Sequence, residues 1–546
     1  MYRWLIPLVL VSSTAFCQKV VEGKVVDKET GSPVPFASIG IVGTSKGTSS
    51  NLNGQFSLLV EEPFSIKISC VGYESRVITS LEDLNLIQLN PASIELNEII
   101  VYRKLIDPAR IVRRAFANVT NNYNTQPFLQ NFFYRHYCKD DSEYGRLIEA
   151  SVDVWKHRGY KSTQRMAGEK EEIRVTQLRR SLDNTIAAQG HEPIAISNIL
   201  QADVVGYQLQ EKGKQLSFYN TVSNLRADFD RYSFSYDATT VYDGQEVFLI
   251  AYTSRKDSIL TTSGYIDLPV ISGTLYITTD RYAIVKTEEI KSEGPNVIRT
   301  SAYYRKTGDK YYPYHFIREG ENHASDKSVH QYHIELMSTE IKYGIEAKFI
   351  GREPGKEELL KIPYDSSYWK TNTILKTTPL EDKIIRDLGG GESLSQQFVR
   401  YQQYEWSTAD GGQNGEDKFA WFKEHNKGNR MLFLVFWDSQ CDLPCIVELE
   451  HAKRLQRQFR KDLYVVMLSL ENDEVRWKQL LTRYNLFSDG TINYRIGSTT
   501  ELKRLYKIKE TPAFILLTKN GDIHSTENLR PGNFLLENEI RALIEQ

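Results

Sequence analysis

Phe436-Trp437-Asp438-Ser439-Gln440-Cys441-Asp442-Leu443-Pro444-Cys445 is the stretch on which the reading of this chain turns. An apolar run, Met431 to Phe436, leads into it and reads as a buried strand. A polar turn with two cysteines follows, then a segment of helical character from Pro444 to about Phe459. Strand, cysteine turn and helix in that order make a place where a thiol–disulfide centre can be built. A cysteine at a helix N-terminus feels the partial positive charge of unpaired N–H groups, which lowers its pKa and favours thiolate. Pro444 suits the first helical turn, where its missing N–H costs nothing. A four-residue separation puts both sulfurs on one helical face, with Cα atoms roughly 6 Å apart and inside the range of a disulfide. Asp442, acidic and next to Cys441, opposes thiolate formation.

The sequence around this stretch alternates. Asp417–His425, Pro444–Phe459, Asp473–Tyr484, Thr500–Tyr506 and Phe534–Ile544 read as helices; Met431–Phe436, Leu463–Leu470 and Ala513–Thr518 read as strands. Alternating β and α over about 130 residues predicts a sheet with helices on both faces.

The whole chain has 546 residues, more than one core can hold, and about 150 residues per domain suggests three or four units. Its 68 basic and 70 acidic residues leave a net charge of −2, so nothing global favours nucleic acid or an acidic membrane surface. The 32 Tyr and 23 Phe point to long β-rich regions. Five cysteines, Cys17, Cys70, Cys138, Cys441 and Cys445, are too few for a disulfide-stapled scaffold. Cys70 and Cys138 read as buried apolar filler in strands.

At the N-terminus, Arg3 precedes an apolar run from Trp4 to Val11, and Ala15-Phe16-Cys17 stands before Gln18. This reads as a secretory signal over 1–17, too short to span a bilayer, which places the mature protein in the periplasm or on the outer-envelope surface. Phe16 and Thr14 fit poorly with a lipidated Cys17, so plain cleavage is the expectation. No later run approaches membrane length, so the protein should be peripheral to a membrane at most.

Residues 18–104 read as short strands: Val20–Val26, Pro35–Val42, Gln55–Val60, Ser65–Cys70, Arg76–Thr79 and Ile94–Tyr102. Thr30-Gly31-Ser32-Pro33 and Asn51-Leu52-Asn53-Gly54 supply turns. The pattern Gly23-Lys24-Val25-Val26-Asp27, Thr30-Gly31, Pro33-Val34-Pro35-Phe36-Ala37 and Asn53-Gly54-Gln55-Phe56 resembles the carboxypeptidase regulatory-like domain, a transthyretin-like β-sandwich. That resemblance implies no catalysis here.

Residues 105–400 read as a β-rich middle domain with flanking helices. Asp107-Pro108 starts a helix with Asp as N-cap, and Ile111, Val112, Ala115, Phe116 and Val119 form its apolar stripe. Strands follow from about Phe128 to Phe349, most clearly Glu246–Tyr252, Gly273–Thr278, Tyr282–Thr287 and Tyr311–Arg318. The hairpin Leu275–Val285 suggests a curved antiparallel sheet similar to the half-barrels of lipoprotein carriers, with a filled core expected rather than a ligand cavity. A helical passage, Trp369–Leu388, is interrupted at Thr378-Pro379, and a linker spans 401–416 before the last domain, 417–546.

The last domain resembles the thioredoxin-like family, particularly the periplasmic reductases of cytochrome c maturation. The resemblance rests on Phe436 to Cys441, on Lys509-Glu510-Thr511-Pro512-Ala513-Phe514-Ile515-Leu516-Leu517 where the family carries a cis-proline, and on the turn Lys519-Asn520-Gly521-Asp522. It implies that Cys441 attacks a substrate disulfide and that Cys445 resolves the mixed disulfide. It further implies that Thr511, Pro512 and Trp437 form the substrate wall. The chain departs from the family in having three residues between its cysteines, Gln440 in place of Trp, and Asp442 in place of Gly. Copper-delivery relatives share the spacing, but the histidine they carry near the proline is absent here. His330 and His333, in one strand, would point to opposite faces and make poor co-ligands. No phosphate loop, dinucleotide fingerprint, serine elbow or zinc-protease motif is present.

The sequence therefore predicts a multidomain protein: an all-β sandwich, a β-rich α+β middle domain, then an α/β thioredoxin-like fold. The leading expectation is a cell-envelope thiol–disulfide oxidoreductase needing no cofactor and no metal. Its partners would be exported protein thiols or disulfides and a membrane dithiol electron donor, with no nucleic acid. The alternative is a non-enzymatic envelope binding or scaffolding protein with a degenerate thioredoxin-like module.

Overall fold

The computed structural model of the chain describes residues 18–92, 107–160 except 142, 172–181, 194–206, 225–226, 229–323 except 257, 262 and 263, 329–344, 358, 362, 365–371, 377–389, 392–398, 415–525 except 460, 485 and 487–490, and 529–545. The expected signal segment 1–17 with Cys17, the strand Ile94–Tyr102 and nearly all of the 401–416 linker lie outside those residues.

The N-terminal unit is a sandwich of two sheets. One runs in the order Gln55–Glu61, Gln18–Asp27, Ile87–Leu89; the other in the order Gly47–Ser49, Ser38–Ile41, Ile66–Ser69, Arg76–Ile78. Val25, Phe56, Ile66, Ile68 and Ile87 meet between the sheets and are wholly buried. The turns work through side chains that mimic backbone acceptors. Asp27 accepts from the N–H groups of Glu29 and Thr30, both at 2.8 Å. Asn51 accepts from those of Asn53 and Gln55, both at 2.9 Å. Gly54 must be glycine, because its φ is +76° and a Cβ there would stand 2.3 Å from the Val25 carbonyl oxygen. The strands Gly47–Ser49 and Ile87–Leu89 were not legible in the sequence. Three residues are too few to show a period of two, and only pairing with neighbours defines them.

The middle domain is a ten-stranded antiparallel sheet. Its order is Glu172–Arg180, Glu143–Lys156, Phe128–Asp140, Val329–Tyr343, Lys310–His323, Asn296–Thr307, Ile284–Glu293, Val270–Thr278, Gln245–Ser254 and Tyr232–Tyr242. The hairpin seen in the sequence is there, with Val270–Thr278 paired to Ile284–Glu293. Alternation along the strands separates two faces. Phe132, Tyr134, Phe316 and Leu336 enter a large core together with Ile111, Val112, Ala115 and Phe116 of the helix Pro108–Ala117. Asp107 caps that helix, accepting from the Arg110 N–H at 3.0 Å. Ile196, Ile199 and Leu200 fill the same core.

The opposite face is polar and still buried. Arg135 lies between Glu149, at 2.7 Å, and Glu381 of the helix Pro379–Gly389, at 3.1 Å. His333 is held between Glu319 at 2.9 Å and Glu335 at 3.0 Å, whereas His330 bonds Asp140. The sandwich covers part of this face: Ser49 Oγ meets His315 Nδ1 at 2.8 Å, and Tyr314 donates to the Phe36 carbonyl at 2.9 Å. Cys138 is wholly buried in the strand Phe128–Asp140, and Cys70 stands half-buried just past Ile66–Ser69.

The C-terminal unit is a five-stranded sheet in the order Ile492–Arg495, Leu463–Ser469, Met431–Trp437, Ala513–Leu517, Ile523–Ser525. The first three strands run parallel, and the last two are antiparallel to their neighbours. The outer strands Ile492–Arg495 and Ile523–Ser525 were not read from the sequence, being short and poor in apolar alternation. Among the described residues, no helix is long and apolar enough to cross a membrane.

Candidate functional site

Every residue of the central strand Met431–Trp437 is buried, as a strand covered on both faces requires. Met431, Phe433, Val435 and Trp437 point into one core with Leu449, Ala452 and Leu455 of the helix Leu443–Gln458. Leu432, Leu434 and Phe436 point into a second core with Phe419 and Ile515. The strand stops at Asp438, where the chain leaves the sheet and turns toward the helix.

That turn holds the cysteines. Asp442 is the N-cap of the helix, its side chain accepting from the Cys445 N–H at 3.2 Å, and a proline occupies the first turn. Cys441 therefore sits just before the cap and Cys445 one turn inside. They form a disulfide with Cα atoms 5.2 Å apart. Cys441 is half-buried at the edge of the core that holds Cys445, which is 3% exposed, so Cys441 is the more accessible of the two.

The proline loop meets this turn from the neighbouring strand. The Thr511–Pro512 peptide is cis. Ala513 pairs with Phe436, so the register carried one step further sets Pro512 opposite Trp437. Thr511 Oγ1 donates to Asp438 Oδ2 at 2.7 Å, and both Thr511 and Pro512 are half-buried. Four of the five residues singled out from the sequence, Cys441, Cys445, Thr511 and Pro512, thus gather at one end of the sheet.

Trp437 needs correction. Expected among the residues that touch substrate, it is wholly buried, packed edge-to-face on Tyr484 with centroids 6.3 Å apart. Its place as the last residue of the central strand, on the face turned toward the helix, makes it core.

Two carboxylates belong to the site that the sequence did not flag. Asp438 accepts from the Gln440 N–H at 2.8 Å in addition to Thr511, and its carbonyl accepts from the Cys441 N–H at 3.2 Å. Glu471, just past the strand Leu463–Ser469, is held below the ordinary carboxylate range, chiefly by the Asp473 N–H at 3.0 Å. Burial opposes that shift, and the Ser439 hydroxyl and Arg476 add to it. The capping role of Asp442 could have been read from Asp followed by Pro at the head of an apolar-periodic segment. The partnership of Asp438 with Thr511, 73 residues away, had no local signal. Beside the disulfide, Leu443 (73% exposed) and Val447 (44%) present an apolar rim to solvent.

Residues 21–101 match the CarboxypepD_reg-like domain model, and residues 428–523 match the Thioredoxin-like model. No curated protein matches the chain. Solved structures similar to part of it include a thiol-disulfide oxidoreductase from Bacteroides fragilis NCTC 9343, 27% identical, covering 21% of this chain and 82% of that one with a TM-score of 0.19. A candidate thiol-disulfide oxidoreductase from Bacteroides vulgatus is 26% identical, covering 22% and 78% respectively, with a TM-score of 0.21. A thiol:disulfide interchange protein from Bacteroides sp. is 19% identical, covering 22% and 75%, with a TM-score of 0.19. The N-terminal unit is a CarboxypepD_reg-like domain and the C-terminal unit a thioredoxin-like one, as their motifs predict.

Proposed function

We propose that this chain, whose last domain is thioredoxin-like, is a cell-envelope thiol–disulfide oxidoreductase that exchanges the disulfides of exported proteins through Cys441 and Cys445. The observation that carries the reading is a disulfide between a half-buried Cys441 and a buried Cys445, at the end of the sheet where the Pro512 loop arrives. Such asymmetry gives the two sulfurs different work. In the reduced protein, the Cys441 thiolate attacks one sulfur of a substrate disulfide; an intermolecular S–S bond forms as the substrate bond breaks. The other substrate sulfur leaves as thiolate and takes a proton. Cys445, deprotonated in turn, attacks Cys441 Sγ, restores the internal disulfide and expels the first substrate sulfur, which is also protonated. Two electrons have then passed to the substrate. A membrane dithiol, oxidised to its own disulfide, returns two electrons to the Cys441–Cys445 pair.

Thr511 and Pro512 would border the docked substrate strand, with the apolar rim of Leu443 and Val447 on the other side. The signal-like segment 1–17 supports export to the periplasm or the outer-envelope surface. Cys441→Ser should abolish reduction of a protein disulfide, and Cys445→Ser should accumulate a mixed disulfide visible on a non-reducing gel. Exchange left unchanged by both substitutions overturns the reading.

The size of the β portion favours a second reading, in which the sandwich and ten-stranded sheet bind an envelope partner and the thioredoxin-like module is not an enzyme. A reduction potential of the Cys441–Cys445 pair well below about −300 mV would support it, because ordinary dithiol partners could not then open the disulfide.

A further inference from the structure

The turn that carries Cys441 has little to hold it. Gln440, Asp442, Leu443 and Pro444 are exposed, and Cys441 itself is only half-buried. In the oxidised chain the disulfide pins this turn to Cys445 in the first turn of the helix. Reduction removes that covalent tie at the moment the Cys441 sulfur must be aimed at a substrate. What remains on the strand side is Asp438, with the Ser439 hydroxyl bonded to Glu471 beside it. Asp438 accepts from the Gln440 N–H through Oδ1 at 2.8 Å and from the Thr511 hydroxyl through Oδ2 at 2.7 Å, while its carbonyl accepts from the Cys441 N–H at 3.2 Å. Both carboxylate oxygens are used, one toward the cysteine turn and one toward the loop of Pro512.

We propose that Asp438 is the positioning residue of this centre, a clamp that holds the Cys441 turn against the Thr511–Pro512 loop so that the groove for a protein substrate keeps its shape when the disulfide is open. The proposal rests on the redox reading above. A hydrogen bond to a carboxylate is among the stronger neutral-donor contacts, and this one extends the junction of the two segments two residues beyond their last ladder pair, Phe436 with Ala513.

The full chain tests this with three substitutions. Thr511→Val removes the clamp and keeps the Asp438 charge. Asp438→Ala removes both. Asp438→Asn removes the charge and retains an acceptor and a donor for the same partners. Thr511→Val and Asp438→Ala should each raise KM for a protein disulfide by about tenfold, the worth of one charge-assisted hydrogen bond. Reaction of Asp438→Ala with a small aromatic disulfide, which needs no groove, should fall by no more than about twofold. Asp438→Asn should leave KM for the protein disulfide near wild type. Equal losses with both disulfides in Asp438→Ala would mean general damage and overturn the clamp; so would wild-type behaviour of Thr511→Val and Asp438→Ala. If the wild-type chain reduces no protein disulfide, the functional reading falls by itself. The clamp is then decided by hydrogen exchange of the reduced chain: faster exchange of the Gln440 and Cys441 amides in Thr511→Val than in wild type supports it, and equal exchange overturns it.

Discussion

His333 links the protonation of the middle domain to its stability. Burial works against its charge, but the hydrogen bonds to Glu319 and Glu335 outweigh it and push its pKa up to about 9, while Glu335 is held down at about 2. A histidine whose folded pKa lies above its unfolded value of about 6.5 gives stability that is complete below pH 6.5 and is lost as pH rises through about 9. The linkage amounts to something on the order of 3 kcal/mol. Denaturant unfolding of the full chain should show stability falling between pH 6.5 and 9, and His333→Gln should flatten that fall. A slope in the variant equal to that of wild type counts against the assignment. At this scale the sequence was partly readable. Odd spacing put His330 and His333 on opposite faces, but the carboxylates that claim His333 come from its own and the neighbouring strand and show only in the paired sheet. Trp437 misled for a related reason, because a residue's place in a motif does not say which face of the strand it takes.

Among the elements, the helix Leu443–Gln458 depends on its first turn. Asp442 supplies the cap, and its loss leaves the Cys445 N–H without that acceptor. Asp442→Ala should cost about 1 kcal/mol and make the amides of Leu443, Cys445 and Ile446 exchange about fivefold faster in hydrogen-exchange measurements. Asp442→Asn, which can still cap, should exchange as wild type does. Equal exchange in the alanine variant would show that the disulfide alone holds the turn. Helix starts were the most legible elements, since cap and proline announce them locally: Asp107-Pro108 was read correctly in advance. The long strands were legible as a class. Apart from Arg76–Ile78, the three- and four-residue strands at sheet edges were not, because their existence depends on partners tens of residues away.

For the whole molecule, sandwich and sheet are joined through both backbone and side-chain hydrogen bonds. Gly72 N–H donates to the Val241 carbonyl at 2.8 Å, Ser45 Oγ to the Ile341 carbonyl at 2.8 Å, and Ser49 joins His315 at 2.8 Å. The two should unfold as one cooperative unit. The thioredoxin-like domain meets the sheet at Lys461 and Glu143, 3.7 Å apart and exposed on the lysine side, a pair worth about 1 kcal/mol at most. Calorimetry of the full chain should therefore resolve two transitions, and reducing the Cys441–Cys445 disulfide should lower only one of them. A single transition that moves as a whole on reduction would show tighter coupling than these contacts support. The order of domains was plain from motifs alone; how closely the sandwich would be locked onto the sheet was not, since neither partner's sequence names the other.

Lys461 lies just before Leu463, which stands level with Met431 at the head of the parallel strands; the cysteines come after their tail. Seven residues of strand put about 20 Å between that foothold and the sulfurs. If the centre is redox-active, its sulfurs work at the end of the strand opposite the Lys461 foothold, and a substrate can reach them without displacing that ion pair.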